Sequence, residues 1–151
     1  MSELEKILDQ ITEFGVNPKV DSKEKTNVLK KLLVRVYAEF VNIKPEFDET
    51  DYDSPPNYDY NEIRKNVEVN FPKFDWYGTV LDINKIEPEA KIVIGDAIDD
   101  LTDIIKDLLE VKWRFNNTSI TDAKWHFVFL MRVHSEQHLV DLLKYIKEID
   151  G

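Results

Sequence analysis

The strongest constraint on this chain is a hydrophobic repeat of three to four residues that runs from Gly95 to Asp150. Within DAIDDLTDIIKDLLEVKWRF (96–115), Ile98, Leu101, Ile105, Leu108 and Leu109 share one arc of a helix. TDAKWHFVFLMRVHSEQHLVDLLKYIKEID (121–150) repeats in the same way, and only Asn116-Asn117 and the following Thr/Ser residues separate the two stretches. Two long helices joined by so short a turn must fold back on each other. Asp96 is placed to cap the first, with Asp99 and Asp100 in its first turn, where the helix dipole favours negative charge. Ser119 or Thr121 restarts the chain.

Upstream, Ser2 and Glu5 form a capping-box pattern ahead of Leu4, Ile7, Leu8, Ile11 and Phe14, and Gly15 followed by Asn17-Pro18 ends that helix. A second helix is expected over 22–43, capped by Asp21 with Glu24 reaching back. Val28, Leu29, Leu32, Leu33, Val36, Tyr37, Phe40 and Val41 form its apolar stripe. EFDETDYDSPPNYDY (46–60) holds acids and no base around Pro55-Pro56 and reads as a loop. Asp59 caps a short helix that Pro72 stops. Residues 73–94 read as a partly irregular crossover, because apolar runs this short do not separate strand from helix.

Only four Gly are present, too few for the tight turns of a sandwich or barrel. The expected architecture is all-α: a single-domain helical bundle of four to six helices over 1–151, ending in a long antiparallel helical hairpin. Its core should contain Leu32, Val36, Phe40, Leu101, Leu108, Trp125, Val128, Leu139, Leu142 and Ile146. Arg132 shares an arc with Trp125 and Leu139, so an ion pair with Glu136 is expected.

The chain has no Cys, which removes thiolate metal sites and thiol nucleophiles. A formal net charge of −10 disfavours binding to a phosphate backbone and suits solubility or a basic protein partner. The N-terminal stretch does not read as a secretory signal, and no run approaches the roughly 18 apolar residues of a membrane span. A cytoplasmic protein without membrane or nucleic-acid partners is expected. No Gly-rich phosphate loop and no nucleophile elbow is present.

Two features carry possible chemistry. Asp96, Asp99, Asp100, Asp103, Asp107 and Glu110 fall within an arc of roughly 100°, opposite the apolar stripe. The plain reading is a solvated face; the sharper one is a platform for a divalent cation. The second feature is HSEQHLVD, where His134 and His138 sit one turn apart with Asp141 beyond them. Two such histidines make half of a Zn²⁺ or Fe site, or else two structural histidines paired within the core. HSEQH is not HExxH, because its Glu is misplaced for that motif's general base. His134, His138, Asp141, Asp99 and Asp103 are therefore the candidate metal residues. Asp103 or Asp107 points away from its own helix's apolar stripe, so a third helix would have to cover these acids for them to meet the histidines.

GDAIDDLTDIIKDLL (95–109), DAKWHFVF (122–129) and HSEQHLVDLLKYI (134–146) together resemble the bacterial family called domain of unknown function 5063. Asp99, Asp100, Asp103, Asp107, Trp125, His134, His138 and Asp141 fall on that family's pattern, and WYGTVLDI (76–83) looks like its aromatic approach to the hairpin. Ile105 stands where the pattern favours an aromatic, and Ser135-Glu136 replaces a Trp-Gly pair. The resemblance implies an all-helical bacterial cytoplasmic domain and no particular activity. Two functions follow as expectations. One is a non-enzymatic interaction or adaptor module with an acidic surface. The other is a metal-dependent enzyme or binding protein for a phosphorylated or nucleotide ligand, using the Asp run and the His pair.

Overall fold

The computed structural model of the chain describes residues 1–150 and is mostly helical with a small two-stranded sheet. Helices α1 (Glu3–Val16), α2 (Lys25–Asn42) and α3 (Tyr60–Asn70) precede strands β1 (Trp76–Val80) and β2 (Ile92–Asp96). Helices α4 (Ala97–Asn117), α5 (Ile120–Leu130) and α6 (Glu136–Asp150) complete the order, with a π-helical turn at Met131–Ser135 between the last two.

The local signals explain most helix starts. Ser2 Oγ accepts from Glu5 N–H at 3.2 Å while Ser2 N–H donates to Glu5 Oε2 at 2.8 Å, a complete capping box. Asp59, Asp96 and Ser119 each accept amide hydrogens from the first turns of α3, α4 and α5. The second helix departs from expectation: it begins at Lys25, and neither Asp21 nor Glu24 caps it through a side chain. Val28 and Val41 lie exposed at the margins of its stripe, and Leu29, Leu32, Leu33, Val36 and Phe40 make the buried contact.

Gly15 is the other departure. It lies within α1 at ordinary helical φ rather than ending the helix. A Cβ at this position would meet Ile105 Cγ2 at 2.6 Å and Ile63 Cγ2 at 2.9 Å. Its role is close approach: α1 rests on α3 and α4 through a position that has no side chain.

Helix α4 is the centre of the molecule, touching α1, α3, α5 and α6. That placement overturns the reading of its acidic arc as a solvated face. The apolar arc packs on α1 and α3, and α6 covers the other side, so Asp100 is buried at 4% exposure. Asp103 and Asp107 keep 19% and 15% of their side-chain surface. The pairs Arg114–Asp122, Asp107–Ser135 and Asp100–His138 step down α4 while they step up the following segment.

Residues 76–80 and 92–96 pair as an antiparallel hairpin where an irregular crossover was expected, with Tyr77 opposite Gly95 and Val80 opposite Ile92. Their aromatic and β-branched residues suit a pleated surface. Trp125 is also corrected: it is only half-buried, stacked on Phe129 and edge-on to Phe47 outside the main core. Leu32, Val36, Phe40, Leu101, Leu108, Val128, Leu139, Leu142 and Ile146 do lie in the core. Arg132 is exposed and, among the described residues, makes no ion pair; Glu136 instead accepts the Tyr37 hydroxyl at 2.7 Å. The buried arginine is Arg114, paired with Asp122 at 3.1 Å and Glu110 at 3.2 Å.

Candidate functional site

The acid run of α4 and the imidazoles of the C-terminal segment converge. His134 and His138 lie one turn apart, with ring centroids 4.8 Å from each other. His134 Nδ1 is 2.8 Å from Asp107 Oδ2, and His138 Nδ1 is 2.7 Å from Asp100 Oδ1. Each contact is an Nδ1–H donating to a carboxylate when the ring is neutral, which leaves Nε2 as the free lone pair. Both Nε2 atoms then face the same acid: His138 Nε2 lies 3.3 Å from Asp103 Oδ2, and His134 Nε2 lies 4.0 Å from it.

The π turn enters here. One extra residue per turn rotates the chain that follows it by about 100°, so the wheel drawn through 121–150 as a single α-helix is wrong in phase beyond Met131. Ser135, the last residue of that turn, is fully buried and donates its Oγ–H to Asp107 Oδ2 at 2.6 Å. Asp107 is thus held by Ser135 while it holds His134.

The opposite wall comes from the hairpin and α3. The Tyr77 hydroxyl donates to Asp100 Oδ2, and the Tyr60 hydroxyl donates to Asp99 Oδ1. Arg64 donates from Nη1 to the Tyr60 oxygen at 3.2 Å and from Nη2 to Asp96 Oδ2 at 2.9 Å. The chain therefore builds a layered arrangement: imidazoles and Asp103 at the centre, Asp100 and Asp107 behind the imidazoles, tyrosines and Ser135 behind the acids.

Electrostatics follow from this geometry. Burial raises the Asp100 carboxyl above its ordinary range, opposed by its bonds to His138 and Tyr77. Burial, with Asp99 and Asp107 close by, also raises Asp103. His138 is raised first by its bond to Asp100, and the surrounding carboxylates add to this against desolvation. Burial and Asp99 push the Tyr60 hydroxyl up to about 12, and Tyr77 rises for the matching reasons, so both stay protonated donors. Four carboxylates crowd two imidazoles, an excess of negative charge that a cation would relieve.

The candidate residues divide as follows. Asp103, His134 and His138 offer ligand atoms within 4.8 Å of one another, as do Asp99, Asp100 and His138. Asp141 belongs to neither group; it lines a small cavity with Tyr77, Gly78 and Tyr145 on the hairpin side. Asp100 and Asp107, members of the acid run though not of the five candidate metal residues, complete the arrangement with Ser135, Tyr60 and Tyr77, which sequence reasoning did not single out. The acids were visible in the run, but Ser135 and the tyrosines carry no signal until the π turn and the hairpin have placed them.

No family model matches the chain, and no curated protein matches it in sequence. Among solved structures, the chain is similar to protein BF1032 from Bacteroides fragilis, a structural-genomics crystal structure. The TM-score is 0.73 at 16% identity, covering 99% of this chain and 90% of that one. At that identity the likeness shows the fold alone. No helix among the described residues is long and apolar enough to cross a membrane.

Proposed function

We propose that this protein binds one divalent transition-metal ion through Nε2 of His134, Nε2 of His138 and a carboxylate oxygen of Asp103, leaving further positions open to water or an oxygen ligand. The observation that carries the reading is the pair of Nδ1–carboxylate contacts, which fix both tautomers and aim both Nε2 atoms at Asp103. A carboxylate behind each ligating imidazole is how metal sites orient their histidines. Ligands at about 2.1 Å in a tetrahedral shell lie about 3.4 Å apart, close to the His138–Asp103 separation of 3.3 Å.

Imidazole ligands favour Zn²⁺, Fe²⁺, Mn²⁺ or Ni²⁺ over Mg²⁺. Two histidines, one carboxylate and open positions make a centre that polarises a bound water or a phosphoryl oxygen rather than a closed structural site. The resemblance of 95–109 and 134–146 to domain of unknown function 5063 adds that the Asp run and the His pair occur together in that pattern, and we read α4 with α5 and α6 as its antiparallel hairpin. The test is thermal unfolding of chelator-treated protein with Zn²⁺ or Mn²⁺. The midpoint should rise in wild type and stay fixed in His138→Ala; an equal rise in both overturns the reading.

A second reading, the adaptor with a basic protein partner, is favoured by one observation. Glu46, Glu49, Asp51 and Asp53 are exposed along a segment without a basic residue. Salt-sensitive retention of a basic protein on this chain, lost when these four are neutralised, is its test.

A further inference from the structure

The β1–β2 hairpin presents an apolar face that the rest of the chain does not cover. The pairing register puts Trp76, Gly78 and Val80 on the same face as Ile94 and Ile92. Trp76 is 69% exposed, Ile92 79% and Ile94 77%. Alternation puts Leu81 on the opposite face, while Ile83 and Ile86 in the connection beyond it are more than two-thirds exposed. The other face is occupied, since Tyr77 turns inward to Asp100 and packs on Tyr145. Trp76, Ile92 and Ile94 thus leave more than two-thirds of their surface uncovered by the rest of the chain.

We infer that this face is the interface between two copies of the chain, packed face to face about a twofold axis. Area is the first argument. Trp76, Val80, Ile83, Ile86, Ile92 and Ile94 together expose on the order of 600 Å² of apolar surface, at the upper limit of the ~300–600 Å² patches found on monomers. One side of a standard interface buries ~800 Å² at about 60–65% apolar, or roughly 500 Å². The hairpin alone supplies it. Charge is the second argument. Residues 76–95 hold three acids, Asp82, Glu87 and Glu89, and two bases, Lys85 and Lys91, so most of the chain's excess of ten negative charges lies elsewhere. Two copies approach with least repulsion here, and a twofold axis can set Lys85 and Lys91 of one against Glu87 and Glu89 of the other. A basic partner would be drawn to the acidic segment instead, and the acids at the tip oppose docking on an anionic membrane. Among the described residues β1 pairs with β2 alone, and only the Tyr77 side of this two-stranded sheet packs on the helices, so its outer side has no layer over it.

Sedimentation equilibrium and light scattering on the full chain, from about 1 to 100 μM, test the inference. Wild type should approach twice the 17.8 kDa chain mass as concentration rises. Ile92→Lys combined with Ile94→Glu should weaken self-association on the order of 100-fold or more while the helical circular dichroism is retained. Ile83→Asp in the connection provides an independent variant should the strand substitutions disturb the hairpin. A wild-type chain that keeps the single-chain mass throughout overturns the inference, as does a dimer that survives in the folded variants. Vesicle binding or capture of a basic protein by a monomeric wild type assigns the face to a different occupant and overturns it equally.

Discussion

The ring of Tyr77 fills the space that a side chain at Gly95 would need: a Cβ there would overlap the ring and its hydroxyl. The two residues are directly opposed in the hairpin, and the missing side chain is what lets Tyr77 lie across the strand and reach Asp100. Gly95 is thus part of the wall behind His138.

Gly95→Ala should therefore displace Tyr77 and cost about 1–3 kcal/mol, the usual range for forced overpacking. Denaturant unfolding of Gly95→Ala, Tyr77→Ala and the double variant forms a cycle. The costs should be markedly less than additive; full additivity would mean that Tyr77 and Gly95 do not act as one unit.

Gly15→Ala sets helix propensity against packing. Alanine gains about 1 kcal/mol inside a helix. Its Cβ would meet the Ile105 and Ile63 methyls at 2.6 and 2.9 Å, both on buried side chains, so repulsion should win. Urea unfolding should show a net loss of about 1–2 kcal/mol, and in an Ile105→Ala background, which removes the Cγ2 methyl, Gly15→Ala should cost less; a stabilised Gly15→Ala would contradict the close approach.

The pH dependence has a defined sign. His138 is raised above its ordinary value near 6.5 in the folded chain, so its contribution is fully present below 6.5 and is lost as pH rises through the raised value. Asp100 and Asp103 are raised above 3.8, so they act in the same sense at lower pH. Metal-free protein should lose stability from pH 6 to 8 relative to His138→Gln. Metal-loaded protein should show the reverse trend, because the ligands must be deprotonated. Thermal midpoints across this range decide; a metal-free profile parallel to that of His138→Gln would remove the electrostatic account of the site.

Asp100 and Asp107 act through the histidines they hold rather than through the ion itself. Asp100→Asn and Asp107→Asn should each weaken Zn²⁺ binding by about 10–100-fold, the usual effect of losing the partner behind a ligating imidazole. Competition titration with a chromophoric chelator measures it. Asp141→Asn, outside both ligand groups, should leave affinity unchanged. If Asp141→Asn matches the other two, Asp100 and Asp107 do not act by holding the ligating imidazoles.

Much of the helical architecture was legible because apolar spacing and caps act locally: Ser2, Asp59, Asp96 and Ser119 start the helices that their side chains imply. The environment of α4 was not legible. A wheel assigns faces relative to one helix, and it cannot say that α6 will lie over the acids. The phase of His134 and His138 was hidden by the π turn, whose sequence MRVHS has no proline, glycine or other mark. Residues 76–80 and 92–96 were ambiguous because a five-residue run shows too little period to separate strand from helix.

Metal content after equilibrium dialysis against Zn²⁺ tests the central claim most directly. Wild type should retain about one ion per chain, and Asp103→Asn and His134→Ala should retain far less while remaining folded. A wild-type chain that emerges without zinc, or an Asp103→Asn chain that keeps as much as wild type, would contradict the centre built on Asp103, His134 and His138.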